Sequence, residues 1–419
     1  MDELADPAAG AAPAASHGAP TLLVTLTGKD RPGVTSTLMS ALAVHDVEVL
    51  DVEQIVIRGR LVLGVLLTRD ESTQKAVKST VRAVAARLDM DVDVENKRGD
   101  ARSRPSDRAH ITVLGHPLRP DALAAMTQRI AACGGNIDRI VRIARYPVTA
   151  IELQASGADP AVLRASLSVE AAHQGIDVAV QPAGLARRAK RLVVMDVDST
   201  LIQDEVIELL AAHAGVRDEV AAITELAMRG EIDFVTSLRE RVSMLEGLDS
   251  SALDKVREEV RLTPGARTLC RTLHRLGYRI AIVSGGFSQV TDALAAELEI
   301  DDSHANELEI IDGRLTGRVL GEIVDRAGKA SALERFAATA GIPLSQTVAI
   351  GDGANDLDMI ERAGLGIAFN AKPVVRELAD AAINVPYLDA ILYLLGITRE
   401  EVEAADAEAG LQTPAPPIP

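Results

Sequence analysis

The chain has 419 residues, enough for two to four domains, each with its own core. Its net charge of −17 speaks against nucleic acid or an anionic membrane surface as a partner, and its 2% aromatic content speaks against stacking platforms for single strands. Cys133 and Cys270 suggest no disulfide framework, and no apolar run approaches the ~18 residues of a membrane span. The amino terminus lacks the basic start of a secretory signal, so a cytoplasmic protein is expected.

Residues 1–19 are rich in Ala, Pro and Gly and are expected to be disordered, as is the tail 399–419, which ends in a Pro-rich run. The polar stretch 96–107, with Arg102, Arg104 and Pro105, marks one boundary. The stretch 182–191 marks another, and its Arg187, Arg188, Lys190 and Arg191 read as a solvated basic linker.

Between residues 20 and 97 the pattern predicts a strand over Thr21–Leu26, a helix over Val34–His45 and strands over Val47–Ile57 and Arg60–Leu67. A helix over Thr73–Leu88 and a strand over Asp91–Val94 follow. The order β-α-β-β-α-β is a split βαβ of ferredoxin-like type. Between 107 and 182 the order returns. Strands are predicted over Ala109–Leu114, Asn136–Ala144, Val148–Gln154 and Asp177–Gln181, with helices over Asp121–Cys133 and Pro160–Gln174. The chain therefore carries an internal duplication of about 85 residues.

The run Thr27-Gly28-Lys29-Asp30-Arg31-Pro32-Gly33-Val34 resembles the first loop of the ACT domain, a small module that often senses amino acids. A Gly-rich turn before a helix also exposes N–H groups suited to a carboxylate. The resemblance implies an effector site at Asp30 and Gly33, held in an interface with a partner module, and a homodimer formed through these modules. In the second copy Asp121 stands where Gly33 stands in the first, which points that copy toward packing or dimerisation.

From about residue 190 to 398 short apolar strands alternate with longer helices, the pattern of a parallel sheet covered on both faces. Strands are predicted over Leu192–Met195, Arg279–Val283, Val348–Ile350, Leu365–Ala368 and Ala382–Val385. Strand ends in such sheets face the ligand crevice, and here they carry Asp196-Val197-Asp198-Ser199-Thr200, then Ser284-Gly285-Gly286, and Gly351-Asp352-Gly353-Ala354-Asn355-Asp356. Lys329 opens a helix. Together these supply what phosphoryl transfer needs. Asp196 is the candidate nucleophile and Asp198 the acid/base. Ser284, Gly285, Lys329 and Asn355 hold phosphate or substrate. Asp196 and Asp352, with Asp198 beside them, are hard oxygen ligands for Mg2+.

The ordered set D-x-D-x-T, S-G-G, K and G-D-G-x-N-D resembles the haloacid dehalogenase-like superfamily of phosphotransferases. The resemblance implies that Thr200 positions the acid/base residue and that Asp356 supports the metal site from behind. The second acid, Asp198, points to a phosphatase. Residues 204–262 are too long for one crossover and read as four helices, a small bundle able to close as a lid. The expected fold is therefore α/β: a Rossmann-like parallel sheet with an inserted helical-bundle cap, preceded by two α+β ACT modules.

A small zwitterionic phosphate needs a carboxylate for its ammonium and an Arg for its carboxylate. Glu205, Met228, Phe234 and Arg241 are the candidates. The Asp204-Glu205 pair and the Phe234-x6-Arg241 spacing are similar to phosphoserine phosphatases. That resemblance implies hydrolysis of O-phospho-L-serine to L-serine and phosphate, the last step of serine synthesis, with feedback by serine at the ACT modules. Phosphothreonine, a phosphorylated amino alcohol or a phosphoprotein stays open as substrate, and so does a binding protein with a vestigial catalytic domain.

Overall fold

The computed structural model describes residues 20–98, 107–228 and 231–414, and the chain falls into two compact units parted after Pro105. The disorder expected of residues 1–19 lies outside the described residues.

The smaller unit runs β1 (Pro20–Lys29), α1 (Val34–Leu42), β2 (Val49–Ile57), β3 (Arg60–Thr68), α2 (Gln74–Leu88), β4 (Asp91–Arg98), in an antiparallel sheet ordered β2-β3-β1-β4. Alternation makes the core: Leu22, Val24 and Leu26 of β1 and Leu61, Leu63, Val65 and Leu67 of β3 face one side. Val34, Leu38 and Leu42 of α1 and Val77, Val81 and Val84 of α2, at helical spacing, cover them. Edge strand β2 is exposed along its whole length. Gly33 caps α1 at φ 92°, a left-handed conformation that suits glycine.

The larger unit begins with the second copy: β5 (Arg108–Gly115), α3 (Pro120–Ala132), β6 (Asn136–Ala144), β7 (Thr149–Ser156), α4 (Pro160–Gln174), β8 (Asp177–Pro182). The residue capping α3, as Gly33 caps α1, is Arg119 in extended backbone. Asp121 lies inside the first turn, so the loops correspond two residues away from where the sequence alignment placed them. A short helix α5 (Leu185–Arg188) leads to β9 (Leu192–Met195). The cap helices follow: α6 (Val206–Ala214), α7 (Arg217–Met228), α8 (Phe234–Ser243) and α9 (Ser251–Glu259). Then come α10 (Ala266–Arg275), β10 (Arg279–Phe287), α11 (Ser288–Glu297), β11 (Asp302–Ile311), β12 (Arg314–Leu320) and α12 (Arg326–Thr339). The chain closes with β13 (Thr347–Gly351), α13 (Leu357–Arg362), β14 (Gly366–Phe369), α14 (Pro373–Leu378), β15 (Ala381–Ile383), α15 (Ile391–Leu394) and α16 (Arg399–Glu408).

One sheet runs through this unit in the order β12-β11-β10-β9-β13-β14-β15-β8-β5-β7-β6. Strands β11, β10, β9, β13, β14 and β15 are parallel, and the β11–β12 hairpin extends one edge. At the other edge β15 meets β8 antiparallel, at Ala381 and Ala179, so the second module continues the catalytic sheet. Asp177 fastens the seam by accepting the N–H groups of Asn384 and Val385 and the Asn384 side-chain amide. Val193 and Met195 of β9 join the core on one face, and Leu192 and Val194 join the core on the other. The first of these cores also takes in Leu114, Val148, Ala150 and Ala179 of the second module.

Two expectations are corrected. The basic run at 182–191 is solvated only in part, at Arg188 and Arg191. Arg187 is 7% exposed and ion-pairs with Glu152, which also accepts from His110 at 2.9 Å. Lys190 is buried and donates to the carbonyls of Ser345 and Gly364. Nor is the tail unstructured from 399: Thr398 and Glu401 form a reciprocal cap on α16. Asp406, fully buried, accepts from Arg271 and Arg275 of α10, so four nearby glutamates masked an anchored helix.

Candidate active site

Asp196 follows the last residue of β9 and its backbone N–H bonds to Ile350 of β13, so the sheet itself fixes its Cα. Its Oδ1 accepts the Val197 N–H at 2.8 Å and pairs with Lys329 Nζ at 2.7 Å. Lys329, 1% exposed, also donates to Asp356 Oδ1 at 2.7 Å. The chain then turns tightly through Val197–Leu201, with Ser199 at φ 60°, a conformation uncommon outside glycine. That turn releases Asp198 from the extended register. Its Oδ1 accepts the Val206 N–H at 2.8 Å and its Oδ2 the Ser284 hydroxyl at 2.9 Å.

The carboxylates of Asp196, Asp352 and Asp356 come within 4.8 Å of one another. Asp198, expected with Asp196 and Asp352 as a metal ligand, is not in this cluster. The i, i+2 argument assumed extended backbone between the two acids, and the helical conformation of Val197 breaks it. Asp356, expected to act from behind, lies next to Asp196 and Asp352 with its Oδ1 held by Lys329 and its Oδ2 by the Gly353 N–H at 2.9 Å. Asp352 accepts from Thr200 Oγ1 at 3.3 Å, and Thr263 Oγ1 donates to the Thr200 carbonyl at 2.7 Å.

The electrostatics show a shortage of positive charge. Burial, then Asp356, push the Asp196 carboxyl well above its ordinary value, against the pull of Lys329. Burial raises Asp198 too, partly offset by its bonds from Val206 and Ser284. Burial with the Asp356 charge brings Asp352 up to about 6. Burial alone would lower Lys329, but Asp196 and Asp356 overcome it and hold the ammonium above its usual range. Three clustered carboxylates sharing one ammonium form a hard, oxygen-only donor set with charge left over. That fits a divalent cation such as Mg2+.

In the irregular last part of β10, Ser284 is fully buried, and the Gly286 N–H donates to its Oγ at 2.7 Å. Glycine is required at 286, since a β-carbon there would stand 2.8 Å from Asp198 Oδ2. A β-carbon on Gly285 would meet the Phe234 ring at 2.9 Å, which places that cap residue directly over the loop. Asn355, half-buried, sits in the Gly353–Asp356 turn beside the cluster.

Two chain segments carry the cap and are zipped together. Arg261 reaches Asp204 through its backbone N–H at 2.9 Å and its guanidinium at 2.7 Å, and Thr263 N–H bonds to Leu201 O. Glu205 accepts the Ser199 hydroxyl at 2.8 Å. It reaches solvent at the rim, yet the surrounding protein atoms, then Asp198, push its carboxyl up to about 7. Arg241 is half-buried, donating to Ser237 O at 3.3 Å and Thr224 Oγ1 at 3.5 Å. Burial lowers Arg241, opposed by the charges of Glu205, Asp198 and Glu208. The side chain of Met228 lies outside the described residues. Ser199, Thr263, Thr224 and Glu208 escaped the sequence reading. Of these, only Ser199 carried a signal, as the one unassigned polar residue between Asp198 and Thr200.

Residues 193–361 match the haloacid dehalogenase-like hydrolase family, and residues 20–95 and 108–181 each match the ACT domain. A phosphoserine phosphatase of Streptomyces coelicolor is 63% identical over 391 residues, covering 93% of this chain and 95% of the relative. One from Mycobacterium tuberculosis is 54% identical over 92% of this chain and 96% of its own length. This chain belongs to the phosphoserine phosphatase family. It is a phosphatase built as a haloacid dehalogenase-like hydrolase behind two ACT domains. The crystal structure of a probable phosphoserine phosphatase from Vibrio cholerae is similar, with 34% identity and a TM-score of 0.57 over 74% of this chain and 92% of that one. Among the described residues no helix is long and apolar enough to cross a membrane.

Proposed function

We propose that this enzyme hydrolyses O-phospho-L-serine to L-serine and phosphate, with Asp196 as nucleophile and Mg2+ as cofactor, at the last step of serine biosynthesis in the cytoplasm. The observation that carries the reading is the division of labour between two acids from one strand end. Asp196 is bound to Lys329 inside the carboxylate cluster, while Asp198 is turned toward Ser284 under the cap. An Asp196 carboxylate oxygen attacks phosphorus, and the ester oxygen leaves with the proton of Asp198. Asp198 then takes a proton from water, whose oxygen bonds to phosphorus as the P–O bond to Asp196 breaks, which frees phosphate and restores the Asp196 carboxylate. Burial favours the protonated form of Asp198, which suits the acid step. Ser284, the Gly285-Gly286 loop, Asn355 and Lys329 hold the phosphate oxygens.

Asp196 and Asp352 would hold Mg2+, supported from behind by Asp356, and the ion when bound neutralises charge on the phosphate and its leaving oxygen. Glu205 would hold the substrate ammonium and Arg241 its carboxylate, with Phe234 closing over the loop. Serine as a feedback effector at Asp30 and Gly33 is supported by their exposure in the loop before α1. A homodimer is supported by exposed Val52, Ile55, Val56 and Ile57 on the open edge strand β2.

The test is phosphate release from a panel of phosphorylated metabolites, with and without Mg2+ and free amino acids, by the full chain and by Asp196→Asn. Phosphoserine should be preferred, and both chelation and Asp196→Asn should abolish turnover. Full activity after chelation, or in Asp196→Asn, would refute the mechanism.

A further inference from the structure

Asn306 lies on β11, 1% exposed, and no part of the reading above uses it. Its Nδ2 donates to the Gly285 carbonyl at 2.8 Å, and its Oδ1 accepts the Val324 N–H at 2.8 Å. One buried amide thus staples two segments that approach the phosphate from different sides.

The first segment is the Ser284–Gly286 irregularity near the end of β10, where the ladder to β11 is interrupted. In a trans peptide the carbonyl of one residue and the N–H of the next point in opposite directions. Holding the Gly285 carbonyl toward Asn306 therefore aims the Gly286 N–H the other way. There it donates to Ser284 Oγ at 2.7 Å, and Ser284 Oγ donates to Asp198 Oδ2 at 2.9 Å. The hydrogen bonds form a chain from Asn306 through the Gly285–Gly286 peptide and Ser284 to Asp198. Neither glycine has a side chain to restrict this peptide, so its orientation rests on its hydrogen bonds, to Ser284 within the segment and to Asn306 outside it.

The second segment is the approach to α12. Val324 precedes Asp325, whose Oδ1 caps the helix at the Gly328 N–H at 2.8 Å. The Lys329 N–H bonds to the Asp325 carbonyl at 2.9 Å. Asn306 therefore fixes the point from which the helix carrying Lys329 starts. The neutral donors of the loop and the charged donor of the helix are spaced by a single side chain.

We propose that Asn306 is a positioning residue for the phosphate cradle: it sets the direction of the Gly286 N–H and Ser284 hydroxyl and their separation from Lys329. This rests on the phosphatase reading. Asn306 has a donor and an acceptor on one planar group of the right length, and it is itself 1% exposed. Losing the donor leaves the half-buried Gly285 carbonyl without this partner and loosens the peptide.

The test uses the full chain with Asn306→Ala, which removes both bonds, and with Asn306→Asp, which keeps an acceptor for Val324 and removes the donor to Gly285. Deleting a direct transition-state donor costs about 100- to 1,000-fold in kcat. A residue acting one bond behind such donors is expected to cost about 10- to 100-fold in kcat on phosphoserine. KM should change less, because Glu205 and Arg241 hold the other end of the substrate. The second readout is competitive inhibition by inorganic phosphate, whose inhibition constant should rise at least about fivefold. A purely structural role would lower the folded fraction, followed by circular dichroism, and leave that constant unmoved in the molecules that remain folded. If the Ala variant does not fold, the Asp variant carries the test. A folded variant with kcat and phosphate inhibition within about twofold of the parent would overturn the proposal. If the parent does not hydrolyse phosphoserine, the functional reading fails instead, and phosphate inhibition on whichever monoester it cleaves still tests Asn306.

Discussion

Arg241→Ala separates recognition of the amino-acid end of the substrate from the chemistry. Deleting one partner of a desolvated charge pair costs about 2–5 kcal/mol or more. Arg241 is only half-buried, and its two hydrogen bonds within the cap, at 3.3 and 3.5 Å, are long. The lower part of that range applies, about 2–3 kcal/mol, or about 30- to 160-fold in kcat/KM at 1.36 kcal/mol per factor of ten. p-Nitrophenyl phosphate has no carboxylate for Arg241 to hold. Its loss is expected to stay within about threefold, from the removal of one cation near Glu205 and Asp198. Arg241→Lys should recover only part of the phosphoserine loss, because an ammonium cannot offer the planar two-point fork. The assay is steady-state phosphate release with both substrates on the same preparations. Equal losses on the two substrates would refute the assignment, because Arg241 would then be supporting the cap or the phosphate and not the carboxylate.

Other outcomes follow from the same geometry. Glu205 must be ionised to hold an ammonium, and its carboxyl is raised to about 7. KM for phosphoserine should therefore rise as pH falls below about 7, and Glu205→Gln should flatten that limb when both enzymes are assayed on the same substrate. Arg187→Met leaves Glu152 buried with only the His110 ring still bonded to it; the larger unit should lose about 3–5 kcal/mol in urea denaturation, much of it restored by adding Glu152→Gln. Removing residues 1–105 takes away the smaller unit alone. Phosphoserine turnover should persist while inhibition by free serine, measured by titration, should fall, and undiminished inhibition would exclude Asp30 and Gly33 as the effector site.

The catalytic strand ends were legible because acids at the end of an apolar strand have little reason to be there except chemistry. Asp196, Ser284, Lys329 and Asp352 converge as their spacing implied. The ligand set was not fully legible. The Asp198 carboxylate leaves Asp196 because Val197 between them is helical, and nothing in an apolar Val-Met-Asp-Val run signals that the strand ends there. Asn306 was invisible because β11 was not predicted: Asp302–Ile311 mixes polar and apolar residues without a clean period. The second module's attachment left a trace that can be read in retrospect. Strand β4 of the first copy alternates Asp91, Val92, Asp93, Val94, whereas β8 of the second runs Val178, Ala179, Val180 without a break. Alternation marks a sheet with one wet face, and a continuous run marks one covered on both.

That difference separates the roles open to the two copies. In the first, the helices cover one face, and the loop before α1 and edge strand β2 remain exposed. In the second, β8 is hydrogen-bonded into the catalytic sheet, and Asp177 holds Asn384 and Val385 across the seam. Arg164 of α4 pairs with Asp380 while Asp380 accepts the Gly366 N–H, so the module is fixed to β14 as well as β15. Strand order then puts the seam only two strands from β13, whose end carries Asp352, and the Lys372 N–H ahead of α14 bonds back to the Asp352 carbonyl at 3.3 Å. Moving the second module as a body would break a buried carboxylate network and disturb the strands that position the carboxylate cluster. A rigid-body response to an effector is therefore open to the smaller unit, whereas the second copy serves as a wall of the catalytic core.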